Sequence, residues 1–174
     1  MSLRRPPLFF VSILTGFILD QWSKQAVFAR VGPEESLAIW PNILDFRAVY
    51  NTGGAFSFFS GHPEVLTGLS ILMVVFMTWW YLKTWKTEHA ITIWAYGLII
   101  SGAAGNVLDR IREPHMVRDF FDFRPNLPWI GHWAIFNVAD IFICCGVGCF
   151  FVSAFLKPKD KLAQEPEKAQ QPSA

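Results

Sequence analysis

Charged residues and cysteines are scarce in this sequence, and both shortages restrict what the protein can be. Only 17% of the 174 residues are charged, against about 25% in typical globular domains. The formal net charge of +1 excludes the strongly basic surface of a nucleic-acid-binding protein. Three Cys are an odd number and do not suit a disulfide-rich secreted scaffold. Because no His-x-x-x-His or Cys-x-x-Cys pair occurs, we predict no metal site.

Hydrophobic residues, in contrast, are abundant, at 52% of the chain. They are concentrated in four runs, each near the roughly 20 residues that a helix needs to cross a bilayer. Residues 71–77 are apolar on every side, which is not typical of a helix at the surface of a soluble protein. We therefore predict an all-α membrane protein with four transmembrane helices. The predicted spans are residues 8–28, 65–82, 90–108 and 134–156.

The first run has a second interpretation, because Arg4 and Arg5 precede an apolar stretch, as they would in a cleaved secretory signal. However, residues 26–29 lack the spacing of small residues that a cleavage site requires. Asp20 and Lys24 also interrupt the run where such a site would form. We therefore expect the first run to remain in the protein as a membrane span.

The distribution of Lys and Arg predicts the orientation, since positively charged short loops remain in the cytoplasm. The N-terminus, the loop between the second and third spans and the segment after Leu156 are all rich in these residues. Every Lys except Lys24 falls on this side. The loop of residues 109–133 carries four Arg, but acidic residues lie between them, and we interpret these Arg as ion-pair partners. Both termini are therefore predicted to be cytoplasmic.

The remaining segments complete the predicted organisation. Residues 1–156 form a single membrane-embedded domain, and residues 157–174, rich in Pro, Lys, Glu and Gln, form a disordered cytoplasmic tail. Residues 44–50 nearly alternate between apolar and polar, and residues 51–54 supply turn formers. This pattern predicts a short strand and turn, a small β appendage on the extracytoplasmic side.

Carboxylates at membrane depth are the strongest indication of chemistry, because an unpaired one costs several kcal/mol there. A rise of about 1.5 Å per residue places Asp20 roughly 18 Å along the first helix and Asp140 roughly 9 Å below the outer surface. Asp109 ends the third span, and Asp119 follows in the adjacent outer loop. Four carboxylates from distant segments therefore converge at one level near that surface.

These carboxylates allow more than one function. Two carboxylates in a low-dielectric pocket cannot both ionise, so one holds a proton. Such a pair can activate a water and protonate a departing amine, as peptide hydrolysis requires. The alternative is a small proton-coupled transporter or binding protein, although its charges should extend through the membrane rather than cluster at the outer end. For Asp109, beside Arg110, a cap or an ion pair is the simpler interpretation.

Five motifs occur in order along the chain and together resemble lipoprotein signal peptidase, the signal peptidase II family of bacterial inner-membrane aspartic peptidases. Each motif lies at the depth that the predicted topology assigns to it. The motifs are residues 19–24 (Leu-Asp-Gln-Trp-Ser-Lys), 51–57 (Asn-Thr-Gly-Gly-Ala-Phe-Ser), 105–110 (Gly-Asn-Val-Leu-Asp-Arg), 117–120 (Val-Arg-Asp-Phe) and 136–140 (Phe-Asn-Val-Ala-Asp).

The resemblance implies an enzyme that removes signal peptides from diacylglyceryl-modified prolipoproteins, cleaving before the lipid-bearing Cys and using no cofactor. It implies a catalytic dyad of Asp119 and Asp140, near the periplasmic face of the inner membrane. A β-cradle and a flap at the Phe-rich residues 55–59, beside the lipid tails, are also expected. The expected partners are prolipoproteins and membrane lipid but no nucleic acid, and the expected functional unit is a monomer. The positions implied to shape the pocket or pair within it are Asp20, Lys24, Asn51, Gly53, Asn106, Asp109, Arg110 and Asn137.

Two residues depart from the family pattern. Arg118 stands where the family more often has an apolar residue, so we expect a fixed cation beside Asp119 that favours its ionised form. Asp122 provides a second carboxylate three residues after Asp119 and is therefore a competing candidate for this member of the dyad. The Asp-Phe context and the order of the motifs favour Asp119.

Overall fold

The computed structural model describes residues 5–52, 62–113, 116–125 and 133–156. The predicted flap at residues 55–59 and the predicted tail at residues 157–174 lie outside the described residues. The helices are α1 (Arg5–Phe28), α2 (Pro63–Thr84), α3 (Ala90–Arg112) and α4 (Val138–Leu156), and the strands are β1 (Leu37–Trp40), β2 (Leu44–Asn51) and β3 (Val117–Phe123).

Within the described residues, three helices are long and apolar enough to cross a membrane, namely Glu64–Thr84, α3 and α4. The mostly helical architecture predicted from the sequence is therefore confirmed, with three candidate spans instead of four. α1 has 24 residues and a length of about 36 Å, but its C-terminal half carries Asp20 and Lys24, which lower its hydropathy. α4 begins at Val138, four residues later than predicted, because residues 134–137 lead into the helix from the sheet.

α3 lies between the other helices and packs against all three of them. Glycines permit this close approach: a Cβ on Gly97 would overlap the Ser12 side chain of α1, and one on Gly105 would overlap the Asp20 carboxylate. Ser101, between these two glycines, is fully buried and bonded to the carbonyl of Leu98. Ser101 therefore lies where α1 and α3 pack closely.

The three strands form an antiparallel sheet in the order β1-β2-β3, next to the C-terminal end of α1. Phe120 of β3 is almost fully buried and packs against Val27 and Val31. The predicted strand at residues 44–50 is confirmed by β2. β3, however, occupies a segment that we predicted to be a loop. Its polar residues occur in both phases of the alternation, so no period of two is visible in the sequence.

β3 is also bonded to the segment that precedes α4. Phe121 and Phe136 form a β-bridge, with N···O distances of 2.8 Å and 3.2 Å for their two backbone hydrogen bonds. The Phe120 N–H donates to the same Phe136 carbonyl. Because Asn137 follows directly, the bridge sets the beginning of α4 beside β3.

Candidate active site

Asp140 and Asn137 form a reciprocal capping box at the N-terminus of α4. The Asn137 Oδ1 accepts a hydrogen bond from the Asp140 backbone N–H at 3.1 Å. In return, the Asp140 Oδ2 accepts one from the Asn137 backbone N–H at 3.0 Å. The local sequence explains this geometry, since Asn is a preferred N-cap and an acidic residue three positions later reaches back to it. The cap fixes the Asp140 carboxylate where the helix dipole favours negative charge.

Asp119 lies on β3 and is only 3% exposed. Its two carboxylate oxygens each accept a side-chain amide hydrogen bond, from Asn137 Nδ2 at 2.6 Å and from Asn51 Nδ2 at 2.8 Å. The sheet register brings Asn51 here, because it pairs with Val117, two residues before Asp119. Asn137 therefore contacts both predicted members of the dyad.

Asp119 and Asp140 border one cavity of about 560 Å³. Asn51, Asn106 and Arg110 contribute further polar groups to its wall. Most of the remaining wall is apolar and comes from the segment before α4 and the first two turns of α4. Asp140 has a partner from another segment, because Asn106 Nδ2 of α3 donates to Asp140 Oδ1 at 3.0 Å.

Lys24 occupies the centre of a second, fully buried polar cluster behind the cavity. Its ammonium nitrogen lies 2.9 Å from Asp20 Oδ2, 2.9 Å from Asn106 Oδ1 and 3.0 Å from Asp109 Oδ2. Three acceptors match the three N–H donors of an ammonium group, so the charge is buried with every donor satisfied. Asn106 joins this cluster to the cavity, because it accepts from Lys24 and donates to Asp140.

Asp20 connects the same cluster to the beginning of α4. Its Oδ2 pairs with Lys24, and its Oδ1 accepts the backbone N–H of Ala139 at 3.0 Å. Ala139 is in the first turn of α4, whose N–H groups have no partner within the helix. Asp20 therefore helps to fix the helix that carries Asp140, from a position that does not border the cavity.

Asp109 forms ion pairs with Arg118 and Lys24 and not, among the described residues, with its sequence neighbour Arg110. The Arg118 Nη2 lies 2.7 Å from Asp109 Oδ1, and the Arg118 backbone N–H donates to Asp109 Oδ2 at 3.1 Å. The same Arg118 nitrogen donates to the Gln21 side chain at 3.0 Å. These bonds confirm that an Arg of the outer loop is an ion-pair partner.

The effect expected of Arg118 on its neighbour is not observed. Burial and, to a smaller extent, the negative charge of Asp140 together raise the pKa of Asp119 to about 7, against the opposing effect of the amide donors Asn51 and Asn137. Arg118 is not among the main causes of this shift. Successive residues of a strand point to opposite faces, so the Arg118 guanidinium binds Asp109 while Asp119 faces the cavity.

Asp122, the competing candidate, is fully buried but does not border the cavity. It lies an odd number of residues from Asp119 along β3, and its carboxylate is 3.5 Å from the Nε of Arg124. Arg124 also pairs with Asp45 of β2. This geometry favours Asp119 over Asp122 as the partner of Asp140.

Arg110 borders the cavity and is only 9% exposed. Its Nη1 lies 3.5 Å from the carbonyl oxygen of Asn106, whereas its Nε has no hydrogen-bond partner among the described residues. With Lys24 and Arg118 it supplies three cations against the four carboxylates of Asp20, Asp109, Asp119 and Asp140. One proton shared by the two cavity carboxylates would make this buried set neutral.

The structure therefore brings together nine of the ten predicted site residues. Gly53 lies outside the described residues, and its predicted role is untested. Gln21 was not among the predicted residues, although it donates to Asp20 and accepts from Arg118. Its position one residue after Asp20 was the available signal, since it adjoins a buried carboxylate in the same helix. Phe136 begins the fifth motif, but its residue type gave no indication of the backbone bridge that it forms.

Comparisons with known proteins agree with this arrangement. A family model described as signal peptidase (SPase) II matches residues 12–156. The lipoprotein signal peptidase of Nostoc sp. (strain PCC 7120) is 36% identical over 156 residues, which are 87% of this chain and 91% of the relative. That of Alteromonas mediterranea is 33% identical over 153 residues, 86% of this chain and 80% of the relative.

The fold has a solved counterpart as well. A structure titled as a bacterial membrane enzyme, studied by the in meso method, aligns with a TM-score of 0.75 over 88% of this chain and 90% of its own. Its sequence identity is 22%, so this likeness concerns the fold alone. The matched residues contain every described member of the site, and the chain therefore belongs to the signal peptidase II family.

Proposed function

We propose that this protein removes signal peptides from diacylglyceryl-modified prolipoproteins by hydrolysing the peptide bond before the lipidated Cys. Its family and relatives named lipoprotein signal peptidase support this activity. One observation carries the proposal. Asp119 and Asp140, from different elements of the fold, border the same cavity and are joined through Asn137. The transporter alternative has no support among these relatives.

The chemistry is that of an aspartic peptidase. Asp119 and Asp140 share one proton, and the ionised carboxylate removes a proton from a water that attacks the scissile carbonyl. The protonated partner then donates to the leaving amine. A pKa of about 7 for Asp119 supports this division of roles, because near neutral pH the carboxyl can both hold and release a proton.

Amides and one guanidinium hold the peptide beside the dyad. Asn51 and Asn106 border the cavity and orient the two carboxylates. The Nε–H of Arg110 is available to a peptide carbonyl, which would supply the acceptor that it lacks among the described residues. Gly53, which lies outside the described residues, is proposed to contact the substrate backbone. Asp20, Lys24 and Asp109 lie behind the cavity, where they fix the elements that carry these groups.

The protein is proposed to cross the bacterial inner membrane four times as one domain, with α1 as the fourth span. The charges that lower the hydropathy of α1 are on Asp20 and Lys24, and both side chains are fully buried against the other helices. These two side chains therefore do not contact lipid, and the remaining residues of α1 are apolar enough to contact it. Both termini are cytoplasmic in this arrangement, the cavity lies near the periplasmic face, and the monomer is the functional unit.

The test is cleavage of one prolipoprotein, with and without its diacylglyceryl group, by the purified protein in detergent containing a chelator. We expect the lipidated form to be cut before its lipidated Cys, as measured by product mass, and the unlipidated form to be cut slower by orders of magnitude. Asp119→Asn and Asp140→Asn should abolish cleavage, and the matched control Asp122→Asn should retain most of it. Full activity in either dyad variant, or equal rates for both substrates, would contradict the proposal.

A further inference from the structure

A second cavity, of about 270 Å³, lies away from the dyad between α2, α3 and α4. Its walls are formed by Phe76, Met77, Trp80, Tyr96 and Phe150. Phe150 lies ten residues after Asp140 along α4, and Tyr96 lies ten residues before Asn106 along α3, which is about 15 Å in each case. We call this space the distal groove, and it is separate from the candidate active site.

The walls of the distal groove lie at one depth within the helices. Tyr96 is six residues after the beginning of α3, and Phe150 is six residues before the end of α4, about 9 Å in each case. Phe76 and Trp80 lie eight and four residues before the end of α2 and therefore bracket the same depth. Half of a bilayer's hydrocarbon core is about 15 Å thick. The distal groove therefore faces the acyl chains of a single leaflet.

The distal groove exists because α2 and α4 are separated. Among the described residues, no Cα of α2 lies within 8 Å of a Cα of α4, although both helices pack against α3. Tyr96 of α3 forms the floor between them, and ring contacts hold it in place, with centroids 4.9 Å from Phe150 and 5.8 Å from Tyr81. A chain that fills this space gains dispersion contacts with both walls.

The size and the lining of the distal groove decide what can fill it. A helix with its side chains is at least about 10 Å wide, so one occupying 270 Å³ would be only about 3 Å long, less than one turn. Membrane helices also associate through small residues that let their backbones approach, whereas this lining consists of aromatic rings and Met77. A second copy of the chain or a signal helix is therefore a poor fit, and a narrow, flexible acyl chain is a good one.

The charge above the distal groove indicates the head group of the lipid. Lys83 is exposed in the last turn of α2, three residues after Trp80 and seven after Phe76, so all three share one face of the helix. Its flexible stem lets the ammonium group reach the level of the head groups. The loop of residues 85–89 adds Lys86 against one acidic residue, Glu88. This surface is positive and complements an anionic head group.

We infer that the distal groove and Lys83 bind one anionic phospholipid of the bilayer, with an acyl chain between α2 and α4 and the phosphate beside Lys83. Because the dyad lies at the other end of the bundle, this inference does not depend on the proposed function. The acyl chain contacts two helices that do not contact each other. The bound lipid should therefore stabilise the folded protein.

Native mass spectrometry of the purified protein, released from detergent micelles at increasing lipid concentration, measures the Kd of the first bound lipid. The probes are dioleoylphosphatidylglycerol and dioleoylphosphatidylcholine, which have the same chains and differ in charge. We expect the anionic lipid to bind about fivefold tighter, the effect of one lysine beside an anionic lipid. Lys83→Gln should remove this preference. Arg30→Gln, which removes an exposed charge just after the opposite end of α1, should keep it.

Two neighbouring tryptophans provide a matched pair for the acyl chain. Trp79 and Trp80 are 49% and 43% exposed, and each ring lies about 6 Å from the Phe76 ring, but only Trp80 borders the distal groove. Trp80→Ala should weaken binding of both lipids about tenfold, the effect of losing roughly ten carbon–carbon contacts. Trp79→Ala should leave both Kd values unchanged. The anionic lipid should raise the unfolding temperature of wild type and Trp79→Ala but not that of Trp80→Ala.

Three results would overturn the lipid site. They are equal Kd values for the two lipids in wild type, a head-group preference that survives Lys83→Gln, and equal effects of Trp79→Ala and Trp80→Ala. Asp140→Asn should bind both lipids as wild type does, because Asp140 does not border the distal groove. A failure of the protein to cleave prolipoproteins would contradict the proposed function and leave these binding results unaffected.

Discussion

Asn137 donates its side-chain N–H to the Asp119 carboxylate at 2.6 Å and its backbone N–H to the Asp140 carboxylate at 3.0 Å. One residue thus sets the relative position of two carboxylates from different parts of the fold. Asn137 serves both as the N-cap of α4 and as an amide donor to Asp119. Substitution can separate these two roles, because serine can cap the helix but has no amide to donate.

Asn137→Ser should keep the helix cap and lose the hydrogen bond to Asp119. Serine is as good an N-cap as asparagine, but its hydroxyl is too short to reach both partners. We expect kcat to fall about 100-fold, the effect of a small misplacement of a catalytic group. Asn137→Ala should lose as much activity and also about 1 kcal/mol of stability. Cleavage kinetics and unfolding in detergent check both effects, and near wild-type activity in Asn137→Ser would contradict the prediction.

Stability should fall as the pH rises from about 4 to 7 and then level off. The pKa of Asp119 is raised from 3.8 to about 7 by burial and by Asp140, so over this range the folded protein binds the proton that the unfolded chain has lost. Asp119→Asn should remove this contribution to the pH dependence of stability, and at pH 8 this variant should unfold at a higher temperature than wild type. Thermal unfolding at a series of pH values measures this. Asp122→Asn, which retains Asp119, should show the same fall in stability with rising pH as wild type.

Cleavage should decline with a one-proton dependence as the pH rises above about 7. A doubly ionised pair has no proton for the leaving amine, and the Asp119 pKa of about 7 sets where this state becomes populated. The profile of kcat against pH, for the lipidated substrate, gives the midpoint. Constant kcat up to pH 9 would show that Asp119 does not supply the proton.

Arg118→Met should destabilise the protein without moving the midpoint of the pH profile. The substitution leaves the buried Asp109 with Lys24 as its remaining cation, and removing one member of a buried ion pair costs about 3 kcal/mol. The double variant Arg118→Met with Asp109→Asn should recover part of that loss, because the uncompensated charge is then absent. A midpoint shifted by a full pH unit in Arg118→Met would instead support the direct effect on Asp119 expected from the sequence.

Gly105→Ala should be destabilising, whereas Gly68→Ala should not. A Cβ at residue 105 would overlap the Asp20 carboxylate, while one at residue 68 of α2 would meet nothing within 4 Å. We expect a loss of about 1–3 kcal/mol for the first, typical of overpacking. The second should gain about 0.5–1 kcal/mol, because alanine is favoured over glycine in a helix. Equal unfolding temperatures for the two variants would contradict the packing described at Gly105.

The helices and the carboxylates at membrane depth were predictable from local features of the sequence, whereas the other site residues were implied by the resemblance to the family. Long apolar runs indicate helices, and a carboxylate inside such a run must have a partner. Asp20 and Asp140 were identified in this way. The partners themselves were harder to predict: Asp109 was assigned to its neighbour Arg110, but it pairs with Arg118 and Lys24.

The features that were missed depend on contacts between distant segments. β3 is buried on both faces and shows no alternation, so the sequence resembles a loop there. Because Arg118 and Asp119 are successive residues of that strand, their side chains point to opposite faces. For this reason the expectation that Arg118 favours the ionised form of Asp119 was wrong. The β-bridge of Phe136 is made by backbone atoms and leaves no trace in residue type.

The β-bridge between Phe121 and Phe136 determines when the two carboxylates come together in a newly synthesised chain. Asp140 belongs to a helix that is long and apolar enough to cross a membrane, whereas Asp119 belongs to the sheet, and this bridge and the Asn137 amide help to bring the two together. A newly made chain whose helices have inserted but whose sheet has not yet docked holds one carboxylate of the pair. By the proposed two-carboxylate mechanism such a chain cannot yet hydrolyse a peptide bond, so the sheet must dock before the protein becomes active.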